Sequence, residues 1–156
     1  MNSTLVRKTR NLLFDSAVVL VTIPFGVVLG LAGFALPLKT RFWLVKCWRR
    51  CFSFFERFLL GIRVEVMGVE NIPKEPCVVI SNHQSAWETV GLQAIFYPCV
   101  FVLKEELLRI PFFGWALALL KMIHINRANK QTAALSVASQ GRERLSEGKW
   151  ILLFPE

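Results

Sequence analysis

The chain has 156 residues, 54% of them hydrophobic and 19% charged, with a formal net charge of +8. That length holds about one domain, and the basic excess is not that of a nucleic-acid binder, because the cations are interleaved with Phe, Trp and Leu beside an uncharged apolar run and no nucleic-acid motif appears. Four cysteines without a C-x-x-C give no disulfide framework and read as reduced, small hydrophobes in a cytosolic setting.

Residues 17–38 carry no charge over 22 positions, enough to cross a bilayer core as helix. A buried helical hairpin is the soluble alternative. A cleaved signal peptide fits poorly, since Pro24, Gly26, Gly30 and Gly33 are spread through a run longer than an apolar signal core. Residues 1–63 hold ten Lys or Arg against Asp15 and Glu56, whereas residues 64–156 hold nine basic and nine acidic side chains. The basic excess therefore belongs to the apolar end, where each cation near an anionic leaflet contributes roughly 1 kcal/mol. Cations on both flanks of the run place both flanks on the cytoplasmic side. A hairpin broken near Pro24 to Gly26 would do that; a single span, which would put one flank across the membrane, is the alternative. Residues 39–60 follow as a helix lying in the interface, with Lys46, Arg49, Arg50 and Arg57 reaching toward headgroups. The plainer reading is a cationic helix on a soluble surface. Gly61 ends it.

Residues 62–66, I-R-V-E-V, alternate strictly and predict a half-buried strand. Residues 68–76 form a turn-rich connector with Pro73 and Pro76. Residues 77–80, C-V-V-I, predict a buried strand; Ser81, Asn82, His83, Gln84 and Ser85 then crowd into a turn before a helix over 86–96. Ser85-Ala86-Trp87-Glu88 fits a capping box with Ser85 as N-cap. A strand over 99–103, a short helix over 105–110 stopped by Pro111, and a mostly helical apolar stretch over 112–122 come next. Residues 123–125 predict a brief strand, 130–147 a helix burying Ala134, Val137, Ala138, Gly141 and Leu145, and 150–154 a last strand. Strands alternating with helices predict an α/β domain over residues 61–156, preceded by a membrane anchor and interfacial helix over 1–60. The sequence ends directly after a strand, about 95 residues is small for an α/β core, and nothing follows to cover that strand. The expectation is a piece of a longer protein.

Ligands of open α/β sheets sit at the C-terminal ends of the strands, which makes His83, Arg127 and Glu156 candidates for one crevice. His83, in a turn beside small polar residues, suits a general base. Such a base needs a carboxylate to fix its tautomer, and Glu88 can supply one if His83 lies before the helix rather than on it. The capping role already gives Glu88 another task. Arg127 suits a phosphate; a solvated arginine is the plainer alternative. Met122 and the Phe112-Phe113 pair read as core or membrane packing, and His124 as a packed strand residue. Zinc held by Cys77, Cys99, His83 and His124 is a remote alternative. No serine, cysteine or threonine is set up as a nucleophile, and G-x-S-x-G is absent. Direct transfer to a substrate hydroxyl fits better than a covalent intermediate.

With these residues in place, the chain resembles the bacterial 1-acyl-sn-glycerol-3-phosphate acyltransferase family. The family's first motif, Asn-His followed after four residues by an acid, is matched by Asn82-His83 and Glu88 in N-H-Q-S-A-W-E-T, similar to the branch with Glu in place of Asp. Residues 101–117, F-V-L-K-E-E-L-L-R-I-P-F-F-G-W-A-L, resemble the same branch. The second motif corresponds to residues 123–127, with Asn126 where an acid is common, and Phe154-Pro155-Glu156 resembles the start of the third. The resemblance implies a fatty acyl transfer from acyl-carrier protein or coenzyme A to the 2-hydroxyl of lysophosphatidic acid, with no cofactor. It also implies an inner-membrane location with the site facing the cytoplasm. His83 and Glu88 would be catalytic, and Arg127, Glu156 and Asn82 would bind substrate. Independently of the resemblance, the helix start near Ser85 to Trp87 offers amides that could stabilise the oxyanion. The rivals are an acyltransferase for another lysolipid, such as a lyso-ornithine lipid or a lipid A precursor, and an inactive membrane-anchored scaffold.

Overall fold

The computed structural model describes residues 3–126 and 130–155. Helix α1 (Ser3–Ala32) runs without a break through Pro24, so the predicted interruption at Pro24 to Gly26 is corrected. One proline removes a single backbone donor, and the apolar turns on either side continue the helix. The chain reverses further on, through a 3-10 turn at Gly33–Ala35 and Pro37, whose φ of −58° suits the start of α2 (Leu38–Phe55). The Pro37 carbonyl accepts the amides of Thr40 (2.9 Å) and Arg41 (3.1 Å). A π-helical turn, Glu56–Leu60, extends α2 to Gly61, where a φ of +72° ends it as the sequence predicts.

The two helices lie against each other. Trp48 Nε1 donates to Thr22 Oγ1 at 3.0 Å, Phe14 meets Phe52 edge to face at 5.4 Å, and Arg10 Nε donates to the Leu59 carbonyl. α1 is long and apolar enough to cross a membrane, and its outward side chains, among them Leu12, Leu20, Ile23, Leu31 and Phe34, are exposed. A buried soluble hairpin does not leave such a surface.

Residues 62–66 lie in no strand, and Ile62, Val64 and Val66 are exposed. Alternation marks a strand only where a neighbour pairs with it, and here none of the described strands does. The sheet consists of β1 (Val78–Ile80), β2 (Cys99–Lys104), β3 (Ile123–Ile125) and β4 (Trp150–Leu153), all parallel, in the order β1-β4-β2-β3. Helices α3 (Trp87–Ile95), α4 (Phe113–Leu119) and α5 (Lys130–Ser146) connect them in turn. Two expectations are corrected by this order. β4 lies between β1 and β2 with Leu152 fully buried, rather than at an uncovered edge. β1 is the edge, with Val78 and Ile80 exposed, because a β-branched run selects a strand but not its place in the sheet.

The core joins both parts of the chain. Leu29 of α1 and Phe42 of α2 pack with Val100, Ala116, Leu120, Ile123 and Ile151, and Arg41 donates to the Leu36 (2.9 Å) and Leu119 (2.7 Å) carbonyls, tying the hairpin turn to the end of α4. α5 buries Ala133 and Gly141 with Val137 and Leu145 partly buried, whereas Ala134 and Ala138 are exposed. Its buried stripe is thus rotated from the predicted one, because Gly141 sits directly over the Ile151 side chain. At the other edge of the sheet, Gln140 of α5 accepts the His124 amide (3.2 Å) and donates to the His124 carbonyl (3.0 Å). The side-chain amide stands in for a neighbouring strand.

Below the N-terminal ends of β3 and β4, Glu147 accepts hydrogen bonds from Lys121 (2.7 Å) and from the buried Lys149. These bonds hold its carboxyl down at about 2, against 4.5 ordinarily. A depressed carboxylate contributes stability above its unfolded value and loses it as pH falls through the folded one. The melting temperature is therefore expected to decline as pH drops from about 4.5 toward 2. Glu147→Gln is expected to melt lower at pH 7, by about 1 kcal/mol after allowance for solvent screening, and the gap to wild type should narrow in acid. A gap unchanged between pH 7 and 2.5 would contradict this.

Candidate active site

β1 delivers the chain to its C-terminal end, where Ser81 N–H still donates to the Leu153 carbonyl (3.1 Å) and the Ser81 hydroxyl to the Asn82 carbonyl (3.1 Å). Asn82, His83, Gln84 and Ser85 then form an exposed turn. The start of α3 orders that turn. The Glu88 carboxylate folds back to accept the Ser85 amide (2.9 Å to Oε2), the Gln84 amide (3.2 Å to Oε1) and the Ser85 hydroxyl (3.1 Å). Ser85 Oγ in turn accepts the Trp87 amide at 3.2 Å. The exchange is that of a capping box set one residue early: the N-cap position falls on Ala86 rather than Ser85 and makes no side-chain cap bond, and the Ser85 hydroxyl takes the amide two residues on. Two of the amides expected to face an oxyanion, those of Ser85 and Trp87, are thus already bonded within the turn, which leaves only the Ala86 amide of that set.

His83 Nδ1 lies 3.5 Å from Glu88 Oε2. That is ion-pair contact, longer than a formed hydrogen bond, and it tightens when the imidazole carries a proton. The side chains are 30% and 18% exposed, so the imidazole is reachable while the carboxylate behind it is mostly covered. Partial desolvation pushes the Glu88 carboxyl up. Bonds from the Glu88, Ser85 and Gln84 amides and the Ser85 hydroxyl outweigh that and leave it below the usual value, ionised at neutral pH. The His83 ring stacks on Phe154 with centroids 4.4 Å apart and planes 23° from parallel, and Phe154 stacks on Phe101 at 6.1 Å. Face and Nδ1 edge are thereby fixed, and Nε2 makes no hydrogen bond among the described residues.

His83 lines a cavity of about 1060 Å³, at the upper end of the range of ligand pockets. Its walls are apolar and come from every layer: Phe25, Gly26 and Leu29 of α1, Val45 and Trp48 of α2, Ala116 and Leu117 of α4, and the C-terminal ends of β2, β3 and β4. The polar lining is sparse. Thr89 donates to the Ala86 carbonyl and Gln93 to the Thr89 carbonyl, both at 2.6 Å, which leaves His83 and Lys104 as the lining residues with ionisable side chains. Lys104, the last residue of β2, is the one cation among the described lining residues. The strand-end rule that singles out His83, Arg127 and Glu156 applies equally to this fourth strand end. The stacking role of Phe154 had no signal in the sequence.

Asn82 is exposed beside His83. Arg127 and Glu156 lie outside the described residues. No group of three or more His, Cys, Asp or Glu among the described residues could hold a metal ion, and Cys47, Cys51, Cys77 and Cys99 are free thiols. Burial pushes the Cys99 thiol up to about 12, an inert packing residue.

Comparison with known proteins gives a family and a fold. The model of the acyltransferase family matches residues 63–156. The chain is 51% identical over 122 residues to a 1-acyl-sn-glycerol-3-phosphate acyltransferase of Pseudomonas aeruginosa, covering 78% of this chain and 48% of the relative. It is 35% identical over 121 residues to a lyso-ornithine lipid O-acyltransferase of Rhizobium meliloti, covering 78% of this chain and 39% of that protein. Among solved structures it is similar to the 1-acyl-sn-glycerophosphate (LPA) acyltransferase PlsC from Thermotoga maritima, with a TM-score of 0.60 and 28% identity over 96% of this chain and 62% of that one. The chain thus spans about half, or less, of the length of these curated relatives.

Proposed function

The chain belongs to the acyltransferase family, and from that premise we propose that its site moves a fatty acyl group from an acyl-carrier-protein or coenzyme A thioester to the 2-hydroxyl of 1-acyl-sn-glycerol 3-phosphate. The observation that carries this reading is the placement of His83. Its imidazole is backed by Glu88 on one nitrogen, open on the other, and set in the wall of an apolar cavity of about 1060 Å³. A fatty chain fills such a cavity, and a base at its wall is within reach of the carbonyl at the end of that chain.

His83 Nε2 takes the proton of the lysolipid hydroxyl as its oxygen attacks the thioester carbonyl. The tetrahedral intermediate collapses with cleavage of the C–S bond, and the imidazolium returns its proton to the departing thiolate, which leaves as the free thiol. Glu88 holds the ring and stabilises its cationic form. Lys104 supplies a point charge for the acceptor's phosphate, and Arg127 and Asn82 join it as substrate contacts. Positioning of the hydroxyl within about 3–3.5 Å of the carbonyl carbon contributes as much as the proton transfer. α1 holds the site at the bilayer surface, where a lysolipid need not be fully extracted, and the cationic flanks favour an inner-membrane location with the site facing the cytoplasm.

A lyso-ornithine lipid is the second acceptor to weigh, because of the similarity to the Rhizobium meliloti enzyme. The two acceptors differ in the phosphate that Lys104 would meet. Membranes containing the chain, and membranes containing the Pseudomonas aeruginosa relative with this chain's residues grafted over the matched segment, are given labelled acyl donors with either lysolipid. Labelled phosphatidic acid is the expected product. Transfer to lyso-ornithine lipid alone, or to neither acceptor in both preparations, would overturn the reading.

Gly26 tests the cavity separately. A Cβ built there meets nothing within 4 Å, so a phenyl group at this position would enter the cavity. In the graft, Gly26→Phe is expected to shift preference toward shorter acyl donors, each methylene left unburied costing about 0.8 kcal/mol or roughly fourfold in kcat/KM. An unchanged chain-length profile would place the acyl chain elsewhere.

A further inference from the structure

We propose that residues 110–115, I-P-F-F-G-W, are a second bilayer-inserting element, seated beside α1, and that Phe113 forms the lip at which the cavity meets lipid. This goes beyond the acyl-transfer reading and does not depend on which acceptor is used. Ile110, Phe112, Phe113 and Trp115 are 43%, 39%, 47% and 44% exposed, a concentration of large apolar side chains that a water-facing loop does not carry. Phe112 and Trp115 meet edge to face at 5.1 Å, forming one aromatic knob.

Three observations select lipid as the occupant. The knob is continuous with the apolar surface of α1. A Cβ at Gly30 would lie 2.9 Å from the Phe112 carbonyl oxygen, so the loop rests directly on the helix, whose neighbouring Val28, Leu31 and Phe34 are exposed. The loop also satisfies most of its own backbone donors, as burial in hydrocarbon favours. Phe113 donates to the Pro111 carbonyl (2.7 Å), Gly114 to Ile110 (2.7 Å), Ala116 to Phe112 (2.9 Å) and Ile110 to Leu107 (3.3 Å), and Pro111 has no N–H to satisfy. Finally, no charge occurs from residue 110 to 120, while the exposed Arg109 stands at its start, where a cation reaches headgroups from an inserted segment. Phe112 adopts this knob at φ +62°, a conformation costly for a bulky side chain. Phe113 is both exposed and part of the cavity wall, and that places the lipid-side mouth at its ring.

The test uses the full chain in vesicles of phosphatidylcholine and phosphatidylglycerol, with benzoylphenylalanine introduced singly at position 113 or 115, at Leu20 on the outer face of α1, or at Leu135, 73% exposed on α5. Irradiation is expected to attach phospholipid at position 20 and at 113 or 115, at least tenfold above position 135. Attachment at 20 with 113 and 115 no higher than 135 would overturn the proposal. Attachment at none of the four positions would refute bilayer contact for α1 and the loop alike.

Discussion

Replacing His83 with Ala is expected to lower acyl transfer by about 10²–10⁴-fold, the usual contribution of a positioned general base, without moving the chain from the membrane fraction or lowering its melting temperature appreciably. The separation of the two effects follows from where the ring lies. His83 sits in an exposed turn at the C-terminal end of β1, stacked on Phe154, and its loss opens no hole in the cluster of Leu29, Val100, Ile123 and Ile151. The turn itself is held by Glu88 through the Gln84 and Ser85 amides, contacts the imidazole does not share. A variant that is folded, membrane-bound and inactive supports the base. Retained turnover would remove His83 from the chemistry.

Glu88→Gln is expected to cost a comparable factor, about 10²–10⁴ in kcat, because an amide cannot stabilise the imidazolium and offers a donor where Nδ1–H needs an acceptor. Its signature differs from a lost substrate contact. KM for the acceptor should stay nearly constant while kcat falls, since Glu88 acts through His83 and is not among the cavity-lining residues. Glu88→Asp keeps the charge one methylene further back and should retain more activity than Gln. Hydrogen bonds from the Ser85 and Gln84 amides depress the wild-type carboxyl, so its support is present at neutral pH and is lost only as pH falls through that lowered value. Equal kcat in wild type and Glu88→Gln, or a loss confined to KM, would contradict the pairing.

Much of this was legible in the residues, and what was missed has physical causes. The succession of β1, α3, β2, α4, β3, α5 and β4 follows from local apolar periods and from stops such as Gly61 and Pro111, which act within a few residues. The Ser85 to Glu88 cap is equally local, and it placed His83 in the turn. Order within the sheet is not local. Nothing in W-I-L-L announces that β4 inserts between β1 and β2, so β1 was expected inside and is an edge. The alternation of residues 62–66 likewise says nothing about whether a partner strand exists. Pro24 was expected to break α1, yet a lone proline costs less than the turns around it supply. Lys104 and Phe154 were overlooked as site residues because their relation to His83 exists only once three strands lie side by side. The helix start at Ser85 to Trp87 is legible as a set of free amides, but not that the Glu88 carboxylate takes the Ser85 amide and the Ser85 hydroxyl that of Trp87.

The most direct measurement is ¹⁵N NMR of the imidazole nitrogens in the ¹⁵N-histidine-labelled chain in lipid discs at neutral pH. With only two histidines in the sequence, His83→Ala assigns the signals. A His83 ring that keeps Nε2 bare with its proton on Nδ1, and loses that preference in Glu88→Gln, is the predicted result. A ring protonated at Nε2 would leave no lone pair there for the lysolipid hydroxyl, and one indifferent to Glu88 would remove the carboxylate from the pairing; either would contradict the mechanism.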